Sequence, residues 1–207
     1  MKKTLLIAGL LISFIGTAHA QESEYRTVFG SGRKVSHGAY GSLTFGYTSI
    51  DGRDALMSGM KGGWVIDHRL TLGFAGTGFM NDLRFTDKLS NEAVNMAGGY
   101  GGLMIEPIIA PFAPVHIAFP IIIGAGGVAY VNYNRWNYDS YSEPTVWDSD
   151  VFFVIEPGVE IEFNVVRFMR LAVGASYRHT SEVMLLNTNK DVLRGFNGTF
   201  SLKFGKF

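Results

Sequence analysis

The sequence predicts an all-β chain: an eight-stranded antiparallel up-and-down transmembrane β-barrel that follows a cleaved signal peptide. Three observations carry this expectation. Residues 38–207 divide into eight segments of about ten residues in which apolar side chains alternate with small or polar ones, the period of a strand with two different faces. The connections between them alternate short and long. The composition is apolar, glycine-rich and poor in charge, with 47% hydrophobic residues, 17% charged residues and 26 glycines in 207. A soluble domain carries about 25% charge and about 7% glycine.

Charge and cysteine content exclude several classes of function. Eighteen Lys and Arg balance 18 Asp and Glu, so no basic surface is available to neutralise a nucleic-acid backbone. The absence of cysteine rules out disulfide scaffolds, cysteine-based zinc sites and thiol nucleophiles.

The chain opens with Met1, Lys2 and Lys3, an apolar run over 5–15, and Thr17-Ala18-His19-Ala20. A basic start, a short apolar core and small residues at the end predict a signal peptide over 1–20, cut after Ala20. The apolar run is too short for a membrane-spanning helix of about 20 residues. Residues 21–37 are polar without a sustained period and read as an N-terminal tail, leaving 38–207 as the barrel domain.

The first strand, 39–49, puts Leu43, Phe45 and Tyr47 on one face and Ser42, Thr44 and Thr48 on the other. Asp51-Gly52-Arg53-Asp54 forms a tight turn. The second, 56–66, sets Leu56, Met60, Trp64 and Ile66 against Gly59, Lys61 and Gly63. After a turn at 67–69, the third strand sets Leu70, Leu72 and Phe74 against Thr71, Gly73 and Ala75. A polar stretch, 80–94, leads to a fourth strand over 95–106, and a proline-rich turn spans 107–114. The fifth, 116–131, is the most apolar segment beyond the signal peptide. Its Pro120, Gly124, Gly126 and Gly127 argue against a spanning helix.

The longest loop, 132–150, precedes a sixth strand over 151–163. There Phe153, Ile155, Val159, Ile161 and Phe163 alternate with Glu156, Gly158, Glu160 and Glu162. A turn at 164–167 leads to the seventh strand, with Leu171, Val173, Ala175 and Tyr177 opposite Arg170, Ala172, Gly174, Ser176 and Arg178. A polar loop over 180–193 precedes the eighth, where Phe196, Phe200, Leu202 and Phe204 face away from Asn197, Thr199, Ser201 and Lys203.

The faces decide which kind of barrel this is. One face is almost free of charge and suits lipid. The other is Gly, Ala, Ser and Thr with a few charges, too bland to solvate a soluble exterior but suited to a narrow lumen filled by side chains. Aromatic residues gather near strand ends, with Tyr47 and Tyr177 toward the loops and Trp64, Phe163 and Phe204 toward the turns, as in interfacial girdles.

The chain resembles the small outer-membrane β-barrel proteins of Gram-negative bacteria, and more closely an uncharacterised group of them common in Bacteroidetes. The matching stretches are GAYGSLTFGYTSIDG at 38–52, GGLMIEP at 101–107, FFVIEPGVEIEFNVVRFMRLAVGASYR at 152–178 and LKFGKF at 202–207. The resemblance implies an outer-membrane location with short periplasmic turns, a periplasmic tail, and contact with lipid, lipopolysaccharide and the barrel assembly machinery. One departure stands out. Such barrels end in Phe with apolar residues at alternate positions before it, whereas Phe207 is preceded at those positions by Gly205, Lys203 and Ser201. Either a kink follows Phe204 or the assembly signal is read differently.

The lumenal face carries Lys61, Glu156, Glu160, Glu162, Arg170, Arg178 and Lys203. With residue 166 near the centre of its turn, Glu162 falls opposite Arg170 and Glu156 lies diagonally near Arg178. Charges withdrawn from water need partners, so a salt-bridged plug that locks the register is expected. A proton- or ion-conducting path through the same charges is the alternative, disfavoured because eight strands leave no room for an aqueous channel.

A catalytic alternative rests on His179, Ser181 and Glu182. His-x-Ser on one strand places imidazole and hydroxyl on the same face, similar to the His-x-Ser of lipid A 3-O-deacylases, themselves eight-stranded barrels. That resemblance implies a lipid A-modifying hydrolase, but the Asn following the serine in that family is Glu182 here, and the last strand offers no carboxylate. The scattered His37, His68 and His116 suggest no metal site, and no cofactor is expected. Gly98-Gly99-Tyr100-Gly101-Gly102 lacks the Lys-Ser/Thr and helix of a phosphate loop.

The loop 132–150 is the expected interaction surface, through Tyr133, Arg135, Trp136, Tyr138, Tyr141 and Trp147. Tyr, Trp, Asn and Ser are residues of adaptable recognition loops, so one reading is an extracellular ligand held by this loop, and the equal alternative is a loop that packs over the barrel mouth or meets lipopolysaccharide head groups. A non-enzymatic barrel, structural or surface-binding, is the leading expectation for function.

Overall fold

A computed structural model of the chain describes residues 35–81, 94–132, 145–186 and 188–207. The expected signal peptide and most of the expected tail lie outside the described residues. So do Tyr133, Arg135, Trp136, Tyr138 and Tyr141; Trp147 is placed on a strand by its backbone alone.

Nine strands form one antiparallel sheet. They are β1 (His37–Ile50), β2 (Arg53–Ile66), β3 (Leu70–Asn81), β4 (Val94–Ile109), β5 (Val115–Ala118), β6 (Ile121–Asn132), β7 (Thr145–Val166), β8 (Met169–Thr180) and β9 (Gly195–Lys206). Apart from β5 and β6, each strand pairs with its neighbours in sequence, and β9 pairs with β1, so the sheet closes on itself. Segments β5 and β6 both lie between β4 and β7 and make one wall interrupted at Phe119-Pro120. Proline cannot donate to the ladder. The break is repaired by the Gly158 amide donating to the Pro120 carbonyl at 2.8 Å and the Phe119 amide to that of Pro107 at 2.9 Å. The barrel thus has eight walls, with the fifth in two pieces. No helix among the described residues is long and apolar enough to cross a membrane.

Asp51 and Gly52 both have positive φ, 56° and 69°, and join β1 to β2 through the Ile50↔Arg53 pair, a two-residue hairpin whose twist suits the strands. The turns at 67–69, 110–114 and 167–168 mark the opposite rim. We call that rim the turn side and the rim of the 51–52 hairpin and the segment 181–194 the loop side.

Successive Cβ atoms point to opposite sheet faces, and the two faces differ sharply here. Leu43, Phe45, Leu56, Met60, Phe74, Leu103, Phe153, Val173 and Phe200 are exposed on the outer wall. Ser42, Lys61, Glu106, Glu156, Glu160, Glu162, Arg178, Asn197, Ser201 and Lys203 are buried in the lumen. Strands β4 and β6 come so close that a Cβ on Gly124 would lie 2.0 Å from the Gly101 carbonyl oxygen, and one on Gly102 would lie 2.1 Å from that of Ile123. Only glycine fits such an approach, which accounts for part of the glycine excess.

Two sequence expectations change. Glu162 pairs with Ala172, not Arg170, because the hairpin closes at the Val166↔Met169 pair, so the turn lies at 167–168 and not around 166. The bulge between Asn164 and Val166 takes up one extra residue and keeps the inward faces of the two strands in register. The stretch 180–193, read as a polar loop, instead turns four apolar side chains into the barrel mouth.

Candidate functional site

The lumen is the candidate site, and it is layered. Nearest the turn side, Lys203 from β9 is fully buried among three carboxylates. Its Nζ donates to Glu106 Oε2 at 2.9 Å, lies 2.9 Å from Glu160 Oε2, and contacts Glu162 Oε1. Glu162 also accepts from Arg170 Nη1 at 3.1 Å and from His116 Nε2 at 2.8 Å. Glu160 is closed off by Lys61, and the Tyr40 hydroxyl donates to Glu106 Oε1 at 2.8 Å.

The charges in this layer balance. Glu106, Glu160 and Glu162 face Lys61, Arg170 and Lys203. His116 Nε2 donates to Glu162, and its Nδ1 has no partner. The three carboxylates and three cations pair off, as charges in a low-dielectric interior need to.

Glu106, Glu160 and Glu162 hold their carboxylate oxygens within 4.8 Å of one another, a spacing that could embrace a cation. The Lys203 ammonium already sits on all three and supplies the positive charge.

Arg170 also lies 3.9 Å from the centroid of the Phe207 ring, and Phe207 stacks on Tyr40 at 5.7 Å. Phe207 therefore continues the lumenal parity of Ser201, Lys203 and Gly205 and covers the turn side of the charge cluster. No kink follows Phe204; β9 runs on to Lys206, and the outward apolar series simply ends at Phe204.

Above this layer lies a cavity of about 40 Å³ lined by Thr44, Thr77, Ser176, Thr199, Glu156 and Glu160, room for a few water molecules. On its loop side, Glu156 accepts from Tyr100, from Ser176, and from Asn197 Nδ2 at 2.9 Å. Arg178 stands apart. It makes no ion pair with a carboxylate among the described residues, in contrast to the diagonal Glu156 contact expected. Its Nε donates to the Leu193 carbonyl at 2.6 Å, and its guanidinium lies 5.2 Å from the Phe79 ring centroid and 5.9 Å from that of Tyr100.

The top layer is apolar. Val183, Leu185, Val192 and Leu193, from the segment between β8 and β9, pack with Ile50, Met57, Phe79, Met96, Phe152 and Val154. The segment folds back on itself, the Val183 amide donating to the Lys190 carbonyl at 2.9 Å. It is clamped to β7 by two carboxylates. Asp150 accepts from the Val151 amide at 2.8 Å and the Met184 amide at 2.6 Å; Asp148 accepts from the Ser149 amide at 2.9 Å and the Leu186 amide at 2.8 Å. The two amides beside Asp150 hold its carboxyl below the usual aspartate range.

The structure brings Lys61, Glu160, Glu162, Arg170 and Lys203 into one network and places Glu156 in a second. His179, Ser181 and Glu182 are exposed on the loop-side rim. Ser181 Oγ accepts the Phe153 amide at 3.0 Å, and Glu182 pairs with Lys190 at 2.9 Å. No hydrogen bond between His179 and Ser181 exists among the described residues.

Sequence reasoning missed Glu106, His116 and Tyr40. A signal for Glu106 was present, since it shares parity with Met104 between the outward Leu103 and Ile105. His116 likewise alternates with the outward Val115 and Ile117. The apolar cap carried no periodic signal.

No protein-family model matches the chain, and no curated protein matches its sequence. Among solved structures, it is similar to the crystal structure of Neisserial surface protein A (NspA), at 13% identity over 84% of this chain and 100% of that one, with a TM-score of 0.52. Ail, the attachment invasion locus protein of Yersinia pestis, aligns at 12% identity over 82% of this chain and 96% of that one, TM-score 0.41. The N-terminal β-barrel domain of Pseudomonas aeruginosa OprF aligns at 8% identity over 83% and 99%, TM-score 0.42. The likeness to NspA shows the fold, an eight-stranded antiparallel barrel of the outer-membrane type.

Proposed function

We propose that the protein resides in the outer membrane as a closed, non-enzymatic barrel, with a structural or surface-binding role exerted through its external loops. The observation that carries this reading is that the lumen is closed at both rims. Phe207 and the balanced charge cluster block the turn side, and the inserted segment 181–194 blocks the loop side. The exposed apolar outer wall is the surface that lipid would cover. Outer-membrane lipid, lipopolysaccharide and the assembly machinery are the partners such a barrel needs. Binding of an extracellular ligand falls to the loops, with Tyr133, Arg135, Trp136, Tyr138, Tyr141 and Trp147 as the residues to test.

The purified protein reconstituted in planar lipid bilayers is expected to show no stable conductance. A large, stable conductance would overturn the closed-barrel reading and favour an ion path through the lumenal charges. The hydrolase reading draws no support from a Ser181 hydroxyl engaged by the Phe153 amide.

A further inference from the structure

The segment that caps the loop side is apolar on both of its faces. Val183 and Leu185 are 1% and 6% exposed and fill the mouth, whereas Met184 and Leu186, between and beside them, are each 73% exposed. Neither outward side chain contributes to the plug. Both are fixed in place, because the Met184 and Leu186 amides are held by Asp150 and Asp148 along the edge of β7.

Their neighbours on β7 extend the same surface. Val151 and Phe153 point outward and are exposed, and Phe153 is tied to the segment at both ends of its peptide unit: its amide donates to Ser181 Oγ and its carbonyl accepts the Ser181 amide, each at 3.0 Å. Below them Ile155, Val159, Ile161 and Phe163 continue the outward apolar column toward the turn side. From Phe163 to Val151 this column rises about 30 Å for strands tilted near 40°, against an apolar band of about 25 Å in barrels of this type. The outer wall is therefore taller here than the band requires, and its upper part includes two residues of the cap. An exposed apolar cluster marks a contact surface, and this one joins the lipid-facing wall along β7 through Ile155, Phe153 and Val151, with the exposed His179, Ser181 and Glu182 beside it.

We infer that Met184 and Leu186 dip into the acyl region of the outer leaflet, so that lipid holds the cap from outside while Val183 and Leu185 hold it from within. This rests on the outer-membrane reading above. The occupant of the ledge is lipid, since the surface it continues is itself the lipid-facing one. The exposed Glu182–Lys190 pair sits on the same segment, Glu182 two residues before Met184.

The chain has no cysteine, so single thiols can be introduced without background. Met184→Cys and Leu186→Cys, each carrying a nitroxide, are compared in phospholipid vesicles with Val173→Cys on the mid-wall and Lys190→Cys on the polar part of the segment. Heat-modifiable migration on gels verifies that each variant is folded. Labels at 184 and 186 are expected to collide with oxygen several-fold more readily than with a water-soluble nickel chelate, as at 173, with the reverse at 190. Labels at 184 and 186 that behave like 190 would overturn the inference. Labels shielded from both reagents would overturn it too, in favour of a protein occupant such as a second copy of the chain. A water-accessible label at 173 would instead remove the membrane reading itself.

Discussion

Lys203 on β9 and Glu106 on β4 meet across the barrel at 2.9 Å, although 97 residues separate them and neither strand pairs with the other. The ammonium is completely buried and also touches Glu160 and Glu162. Burying charges is costly, and removing one partner leaves the others uncompensated. Lys203→Met is therefore expected to lower the unfolding free energy by about 3–5 kcal/mol, read from urea titration in lipid vesicles. Adding Glu106→Gln restores the charge count and is expected to recover part of the loss; a double variant no better than the single one would contradict the neutral-cluster account.

The aspartate clasp at the loop-side end of β7 responds to pH. Backbone amides of Met184 and Val151 depress the Asp150 carboxyl, so its contribution to holding the cap is present above the unfolded aspartate range of about 4 and is lost as pH falls through the lower folded value. Amide hydrogen exchange at Met184 should be slow at neutral pH and accelerate in acid. Asp150→Asn should show raised exchange already at neutral pH, since the charge-assisted bond is gone. Unchanged exchange in that variant would show that the apolar side chains alone hold the cap.

Glycines in this barrel are not equivalent. A Cβ on Gly124 would overlap the Gly101 carbonyl, whereas one on Gly41 would meet nothing within 4 Å. Gly124→Ala is expected to abolish or strongly reduce the folded, heat-modifiable form, and Gly41→Ala to leave it intact. Equal folding yields for the two would mean that β4 and β6 can separate freely.

Phe207 and Arg170 form a cation–π pair at 3.9 Å over Tyr40. Phe207→Ala should cost about 1–2 kcal/mol of stability, the range of a desolvated cation–π contact. Arg170→Ala costs more, because it also strips Glu162 of a partner. A double-mutant cycle isolates the shared part, and a coupling energy indistinguishable from zero would show that the ring merely fills space.

Much of the molecule was legible before folding was considered. Lys61, Glu160, Glu162, Arg170 and Lys203 could be assigned to one face because side-chain direction along a strand depends only on parity. Their partners could not be assigned. Counting from a turn centred on 166 matches Glu162 to Arg170, whereas the turn lies at 167–168 and a bulge between Asn164 and Val166 keeps the faces matched. Glu106 and His116 obey the same alternation, but each stands alone among apolar neighbours. The cap was illegible for a different reason: 181–194 has no strand period, and its burial comes from the mouth it fills.

By itself the sequence determined the all-β class, the number of walls, the outward apolar face and the inward polar one, all consequences of local backbone geometry. Only the tertiary structure decided that Lys203 sits among Glu106, Glu160 and Glu162, that Phe207 turns over Tyr40, and that Val183 and Leu185 close the loop side. Those contacts join residues from different walls. They depend on register and on closure of β9 against β1, and no local pattern encodes a distance across a lumen.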